Sequence, residues 1–551
     1  MSDVLLSVQD LSVAYPLGSE SEASPTWAIE GLSLTVGRGE CVGLVGESGC
    51  GKSTLGRTLM HLLPKGSRVE GRCTLNQRDI RHLSGSALTQ FRGEEIAYIF
   101  QDPMTRLNPL MTIKQHCLET LKVHQPALSH GAAQKKVLDT LKAVNIPGDR
   151  WTQYPHEFSG GMRQRVAIAL ALLLGPKLMI ADEPTTSLDV TVSAQILQEL
   201  TRLCRDREMG LLLISHDLAL VSEYCDRVAV MYQGQMVELG KADQILTRPQ
   251  HPYTQSLLQS ALHLQTETAE AFDPSHPPGE ENILLRLTQL EQYYVQEANL
   301  LARLFAGKDS IIRPVDKIDL TLRNGETLGL VGESGCGKST LSRTILQLAR
   351  PKSGSVQFKG VELTDLRGQR LREMRRQIQM IFQDPRACLN PMMKIGTSIA
   401  EPLLIHRLQS WDQAIIEAKK LMERVGLTPA EDYVHRLPSD LSGGQLQRVA
   451  IARALITQPQ LIICDEPVSM LDASIQSQVL DLMQSLKVER QLTYIFITHD
   501  LWVARFFCDR IAVMHQGKIV EIGPTAEIFK TPQHPYTQSL IQAAPLLARL
   551  S

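Results

Sequence analysis

Residues 43–55 and residues 329–341 of this chain read identically, GLVGESGCGKSTL. The likeness extends well beyond that stretch. IFQDP starts at Ile99 and at Ile381, and Leu-Asn-Pro follows each time, at Leu107–Pro109 and Leu389–Pro391. Ser-Gly-Gly stands at Ser159 and Ser442, Asp-Glu-Pro at Asp182 and Asp465, His-Asp at His216 and His499, and HPYTQSL at His251 and His534. From the second Ser-Gly-Gly onward the offset is a constant 283 residues. Self-similarity of this kind means that one folding unit has been written twice, so whatever fold is inferred must occur twice. The expected domains are 1–265 and 284–551. Between them, ETAEAFDPSHPPGEEN (Glu267–Asn282) is rich in Pro, Glu and small residues without helix or strand period, which predicts an exposed linker over 266–283.

The rest of the composition narrows the class. At 551 residues, two domains of ordinary size are expected. The formal net charge of −2 argues against a protein that coats itself in nucleic-acid backbone. The ten cysteines stand singly, with no Cys-x-x-Cys and no cysteine–histidine cluster, so neither a disulfide framework nor a zinc site is implied. Reduced thiols in a large chain point to the cytoplasm. The N-terminus lacks the basic and apolar regions of a signal peptide. The most apolar stretch, Val166–Ala181, is interrupted by Pro176 and Lys177. A spanning helix needs about 20 mostly apolar residues, so this stretch is expected to be a buried helix followed by a buried strand. A role at the membrane would then require docking on other subunits.

Within each copy, apolar runs of strand length alternate with helical spacing. Cys41–Gly46 leads into the glycine-rich stretch, and Leu55, Leu59, Leu62 and Leu63 follow at helical intervals. Leu178–Ala181 and Leu211–Ile214 are short apolar runs ending at polar residues, as buried parallel strands do. The expectation is an α/β fold whose parallel sheet carries its ligands at the strand ends.

Gly46-x-x-x-x-Gly51-Lys52-Ser53 and Gly332-x-x-x-x-Gly337-Lys338-Ser339 have the form of phosphate-binding loops. Their glycines let backbone N–H groups turn inward around phosphates, and the helix that follows adds its positive end. Residues Gly46, Ser48, Gly49, Cys50, Gly51, Lys52, Ser53 and Thr54 form the first expected nucleotide-binding set, and Gly332, Ser334, Gly335, Cys336, Gly337, Lys338, Ser339 and Thr340 the second. Lys52 and Lys338 are placed to reach the β- and γ-phosphates, with the Ser53 and Ser339 hydroxyls on Mg²⁺. Asp182 and Asp465 end apolar strands and suit a contact to Mg²⁺. Glu183 and Glu466, next along, are candidates to polarise the attacking water, a task of positioning and charge stabilisation. Gln101 and Gln383 offer neutral oxygen to Mg²⁺ and water. His216 and His499 lie 33 residues beyond the glutamates; a lone histidine is usually structural, and only the complete set gives these two a catalytic place. Cys50 and Cys336 precede the loop lysines at a helix N-terminus, where a thiol is expected to have a lowered pKa.

A phosphate loop alone says only that nucleotide binds. Ser159-Gly160-Gly161 and Ser442-Gly443-Gly444 each open an alanine-rich helical run, which makes them a second anion-binding device in a unit that already has one. The ordered set of phosphate loop, glutamine, Ser-Gly-Gly, Asp-Glu-Pro, Leu188-Asp189 or Leu471-Asp472, and histidine resembles the nucleotide-binding domain of ABC ATPases over nearly the whole chain. The resemblance implies two tandem P-loop domains, each with a parallel-sheet core, a helical subdomain and a small antiparallel β subdomain. It also implies that each ATP, with Mg²⁺, lies between the loop of one domain and the Ser-Gly-Gly of the other, Lys52 opposite Ser442 and Lys338 opposite Ser159. Tyr15 and Tyr294 sit where the family places an aromatic residue against adenine. QDPMTRLNP, QDPRACLNP and the HPYTQSL stretches are similar to ATPases of the oligopeptide, dipeptide and nickel importer group. That likeness implies two integral-membrane permease subunits, through them an extracytoplasmic solute-binding protein, and a peripheral place on the cytoplasmic face of the inner membrane. Some relatives carry cysteines for an iron–sulfur cluster in their C-terminal tails. No cysteine lies between Cys225 and Cys336 or after Cys508, so no such cluster is expected. The rival reading is a soluble tandem ATPase acting on ribosomes or nucleic acid. It calls for a long charged insert or clustered basic residues, and the stretch between the copies is short and acidic.

Overall fold

Strand-forming runs in each copy separate into two sheets because their neighbours in sequence differ. Short runs that alternate with helices pair in parallel, while the long runs at the start of each copy pair antiparallel with each other and with the later strand Arg68–Leu75 or Ser353–Phe358. A computed structural model describes residues 4–16, 26–102, 106–185, 188–266, 282–296 and 310–544. The expected linker, apart from Thr266, Asn282 and Ile283, lies outside the described residues. The chain divides into two units between Leu262 and His263.

In the first unit, the antiparallel sheet has the order Trp27–Gly37, Val4–Ala14, Arg68–Leu75, Arg78–Asp79. The main sheet runs Gln235–Lys241, Arg227–Tyr232, Cys41–Val45, Gly210–Ser215, Leu178–Asp182, Ile96–Ile99, and only the Gln235–Lys241 edge is antiparallel to its neighbour. The second unit repeats this order with Lys518–Pro524, Arg510–His515, Thr327–Val331, Thr493–Thr498, Leu461–Asp465 and Ile378–Ile381. Its antiparallel sheet is Ser310–Arg323, Ile283–Gln296, Ser353–Phe358 and Val361–Glu362. Helices Ile113–His124, His130–Ala143 and Gly160–Leu172 build the helical part of the first unit, and Ile395–Ile405, Trp411–Arg424 and Gly443–Leu455 that of the second. Val166–Ala181 is accordingly the end of one helix followed by the buried strand Leu178–Asp182. Among the described residues no helix is long and apolar enough to cross a membrane.

The core fixes the phosphate loop. Leu6, Leu32 and Leu34 of the antiparallel sheet, Leu44, Leu212 and Ile214 of the main sheet, and Leu55 and Leu59 of the helix Lys52–Leu59 share one buried cluster. Each such side chain contributes about 1.5–3 kcal/mol on burial, so the helix behind the loop is held by its own apolar face. The helix is shorter than the leucine spacing predicts. It stops at Leu59, and His61 takes a left-handed φ of 53°. The Leu62 amide then donates to the Arg57 carbonyl at 2.8 Å and that of His61 to Thr58 at 3.0 Å, closing the end in a Schellman motif. Leu62 is left exposed. Gln347, with a φ of 57°, ends the matching helix Lys338–Ile345 in the same way.

Gly43 sits mid-strand beneath the helix Leu218–Tyr224, and a Cβ there would lie 1.9 Å from Val221 Cγ1. Overpacking a closed core costs about 1–3 kcal/mol. Gly43→Ala is therefore expected to destabilise the first unit by that amount and leave the second unchanged. Urea-dependent proteolysis, with fragments assigned to each unit by mass, measures both.

Candidate functional site

The strand Cys41–Val45 is buried along its whole length and ends at Gly46, where the loop begins. Gly51 closes the loop with a φ of 104° and caps the helix, and a Cβ there would meet the Ala28 carbonyl oxygen at 2.5 Å. Gly337 repeats this with a φ of 113°. Ser48 and Gly49, like Ser334 and Gly335, form the exposed tip of the loop, while Cys50, Lys52 and Thr54 are buried behind it. The Lys52 ammonium donates to the carbonyls of Gly46 at 2.6 Å and Glu47 at 2.8 Å. Lys338 does the same to Gly332 and Glu333 at 2.6 and 2.9 Å. Thr340 follows Ser339 in the first turn of its helix, as Thr54 follows Ser53.

Neighbouring strands bring the carboxylates to this loop. The Ser53 hydroxyl donates to Asp182 Oδ1 at 3.0 Å, and the Ser339 hydroxyl to Asp465 Oδ1 at 3.1 Å. Burial pushes both aspartates above the usual carboxylate value, against the pull of these hydrogen bonds. The glutamate after each aspartate leaves the strand in a left-handed conformation, with φ of 47° at Glu183 and 50° at Glu466. Its own amide still donates into the sheet, to Ile214 and to Ile497, at 2.9 Å. A non-glycine residue held in this region is strained, and such strain gathers at functional sites. The Gln101 amide donates to Glu183 Oε2 and that of Gln383 to Glu466 Oε2, both at 2.8 Å. His216 Nδ1 lies 3.4 Å from Glu183 Oε1, and His499 Nδ1 lies 3.1 Å from Glu466 Oε1. Burial works against the Glu466 carboxylate, yet its bond to His499 holds it below the ordinary glutamate value. Burial likewise opposes charge on His499, and the Glu466 carboxylate more than offsets this and raises the imidazole.

The structure thus gathers loop, Ser–Asp pair, Glu, Gln and His at the carboxyl ends of the main-sheet strands in each unit. Tyr15 joins its group, its hydroxyl 3.0 Å from Thr54 Oγ1. Tyr294 is half exposed on the strand Ile283–Gln296, paired across the sheet with Ile312. Ser159 and Ser442 cap the helices Gly160–Leu172 and Gly443–Leu455, accepting from the amides of Met162 and Gln445. In the second unit Gln445 Oε1 also accepts from the Ser442 amide at 3.0 Å and completes a capping box, a bond Met162 cannot make. Gly161 and Gly444 lie against Val192 and Ile475, where a Cβ would come within 2.5 and 2.7 Å.

One residue outside the expected set enters the first site. The Tyr98 hydroxyl donates to Asp182 Oδ2 at 2.6 Å, so both oxygens of that carboxylate carry hydrogen bonds. Met380 holds the equivalent register position in the second unit, opposite Ile463. The comparison of copies singles out what they share, and this contact is made in one copy only.

These paired cassettes, each a phosphate loop backed by an Asp-Glu strand end and a helix opened by Ser-Gly-Gly, define ATP-binding units of the transporter class. The family model described as "ABC transporter" matches residues 29–186 and 315–469, and that described as "Oligopeptide/dipeptide transporter, C-terminal region" matches 237–283 and 520–550. The chain belongs to the ABC transporter family, in the group bearing the oligopeptide/dipeptide C-terminal region. It is similar to the glutathione import ATP-binding protein GsiA of Pectobacterium atrosepticum, with 41% identity over 98% of this chain and 90% of that protein. It is also similar to the peptidoglycan transport ATP-binding protein YejF of Agrobacterium fabrum, with 42% identity over 98% of this chain and 96% of that one. It is an ATPase whose hydrolysis of ATP is coupled to transport.

The expected low thiol pKa is corrected at Cys336. Burial pushes this thiol above its ordinary value, outweighing the Lys338 ammonium, whose nitrogen lies 3.8 Å from the sulfur. A raised pKa means less thiolate at neutral pH, with reactivity appearing only above the ordinary thiol range. Maleimide at pH 7 is expected to leave Cys336 of the folded chain unlabelled and to label it in urea, read by mass spectrometry of the peptide ending at Lys338.

Proposed function

We propose that the chain is the energy-coupling ATPase of an importer for peptides or peptide-like solutes, glutathione-like thiol peptides among them. The relatives named for glutathione import and peptidoglycan transport, together with the C-terminal region matched in both copies, support this cargo class. The chain would sit on the cytoplasmic face of the membrane, docked on two permease subunits served by an extracytoplasmic binding protein.

The observation that carries the catalytic reading is the cluster found in both units. A glutamate is fixed from one side by an amide and from the other by an imidazole, beside a Ser–Asp oxygen pair. Glu183 and Glu466 would orient and polarise the attacking water. His216 and His499 would hold those carboxylates in place and steady the proton they receive. Lys52 and Lys338 would leave their loop carbonyls to meet the β- and γ-phosphates, while loop amides receive the remaining charge. The Ser53–Asp182 and Ser339–Asp465 oxygens, with Gln101 and Gln383, are hard neutral and anionic donors of the kind Mg²⁺ selects. Bound there, Mg²⁺ supplies charge neutralisation on the phosphates. Ser159–Gly161 and Ser442–Gly444 would bind the γ-phosphate held by the other copy's loop, so that ATP favours the closed pair and its hydrolysis releases it. Tyr15 and Tyr294 would lie against adenine.

With the permease present, the pair Glu183→Gln and Glu466→Gln is expected to bind ATP and to turn it over about 10²-fold more slowly. Turnover at the parent rate would remove both glutamates from the mechanism. Ser442→Arg sets bulk and positive charge where the opposite γ-phosphate would lie. It is expected to abolish nucleotide trapping at the Lys52 site and to spare the Lys338 site. Photolabelling followed by proteolysis between the copies reads the two halves separately, and loss of label from the second half would show that each copy closes on its own ATP.

A further inference from the structure

The HPYTQSL stretch follows the main sheet in each copy, some 200 residues beyond the phosphate loop, and no step of the hydrolysis uses it. Its tyrosine nevertheless reaches the loop. The Tyr253 hydroxyl accepts the Glu47 amide at 3.1 Å, and the Tyr536 hydroxyl accepts the Glu333 amide at 3.0 Å. The other face of the same peptide group, the carbonyl of Gly46 or Gly332, accepts the loop lysine at 2.6 Å. One peptide plane is therefore held from both sides, by a phenol on its N–H and by an ammonium on its C=O.

The tyrosine itself is rigidly mounted. Its ring stacks on Tyr232 in the first unit, with centroids 4.3 Å apart, and lies tilted against His515 in the second, at 4.0 Å. The backbone before it is tied to the edge strand of the main sheet. Glu238 accepts the amides of Gln250 at 2.8 Å and His251 at 3.1 Å, and Glu521 accepts those of Gln533 at 2.8 Å and His534 at 3.0 Å. Burial would raise these two carboxyls, but the amides hold both below the ordinary glutamate value. His251 and His534 accept the tyrosine's own amide through Nδ1, at 3.2 and 3.1 Å. Each histidine thereby fixes the start of the helix that carries the ring.

From this geometry we infer that the HPYTQSL segment is a strut for the phosphate loop, with Tyr253 and Tyr536 as positioning residues for the nucleotide's polyphosphate. The inference rests on the loop being the phosphate site. A phenol on the Glu47 or Glu333 amide takes that donor out of play and sets the orientation of the first loop peptide, so the lysine faces a carbonyl and the later amides turn toward the ligand. Without the hydroxyl the peptide is free to rotate, and the lysine and the remaining amides lose their common frame. The effect falls on groups that meet phosphate and leaves adenine contacts alone.

The test uses the full chain with Tyr253→Phe and Tyr536→Phe combined, which keeps both rings. One lost hydrogen bond per site predicts MgADP binding weaker by about three- to tenfold. The KM for ATP should rise by the same factor, with kcat changed less than twofold and the Tm lowered by no more than a few degrees. Glu238→Gln with Glu521→Gln, which loosens the mount and keeps the hydroxyls, is expected to weaken MgADP binding in the same direction and provides the measurement should the Phe variant fold poorly. Phe variants that bind MgADP within twofold of the parent, while Tyr253→Leu with Tyr536→Leu lowers thermal stability, would show that the tyrosines only pack and would overturn the strut. Lys52→Ala with Lys338→Ala is expected to abolish MgADP binding. Binding at the parent affinity there would overturn the loop assignment, and the strut with it.

Discussion

Everything in each unit depends on the parallel pairing of one short strand on both of its edges. Cys41–Val45 is bonded to Gly210–Ser215 on one side and Arg227–Tyr232 on the other, with Val45 level with Ser215 and with Val230. Leu178–Asp182 pairs one strand further out, Asp182 level with Ile214. This register brings the glycine loop, the Asp-Glu step and the histidine to the same end of the strands, although more than 160 residues separate the loop from His216. A slip of one residue would turn each of these side chains to the opposite face. Full burial on both faces is what forbids the slip, since it would drive polar residues into the core. The backbone amides beyond Val45 have no further strand to pair with, and the chain spends them on the loop.

Much of this was legible in the sequence. The apolar runs Leu178–Ala181 and Leu211–Ile214 are strands at nearly those limits, and the buried helix and strand across Val166–Ala181 are as the interruption at Pro176 and Lys177 suggests. Identical strings in two copies singled out Lys52, Ser53, Asp182, Glu183 and their counterparts without any structure. What could not be read were contacts that depend on which strand lies beside which. Tyr98 meets Asp182 only because Ile96–Ile99 pairs with Leu178–Asp182. The left-handed backbone of Glu183 and Glu466 leaves no mark in composition, because glutamate is not a residue that announces it. The helix end at His61 was hidden for the same reason, since neither His61 nor Gln347 is the glycine that usually signals such a turn.

The copies also differ where the sequence differs least conspicuously. Arg165 and Arg448 make the same two bonds, to the Val144 or Val425 carbonyl and to Gln195 or Gln478, and Arg165 adds an ion pair with buried Glu199, where the second copy has Leu482. Burial raises the Glu199 carboxyl, so that ion pair is a local structural commitment of the first unit. Both arginines tie the helix opened by Ser-Gly-Gly to the segment before it. The carbonyl and glutamine bonds recur in both copies, so the ion pair to Glu199 is an addition to a shared arrangement of that helix start.

The phenol on Asp182 and the methionine at its counterpart have a consequence for heredity as much as for chemistry. Where two identical polypeptides assemble, any substitution appears in both sites at once, and a trait useful in one place must be tolerable in the other. Joining the copies in one open reading frame removes that coupling. Every molecule then carries one carboxylate with a tyrosine and one without, in fixed proportion and with no sorting of subunits, and selection acts on Tyr98 and on Met380 as separate letters.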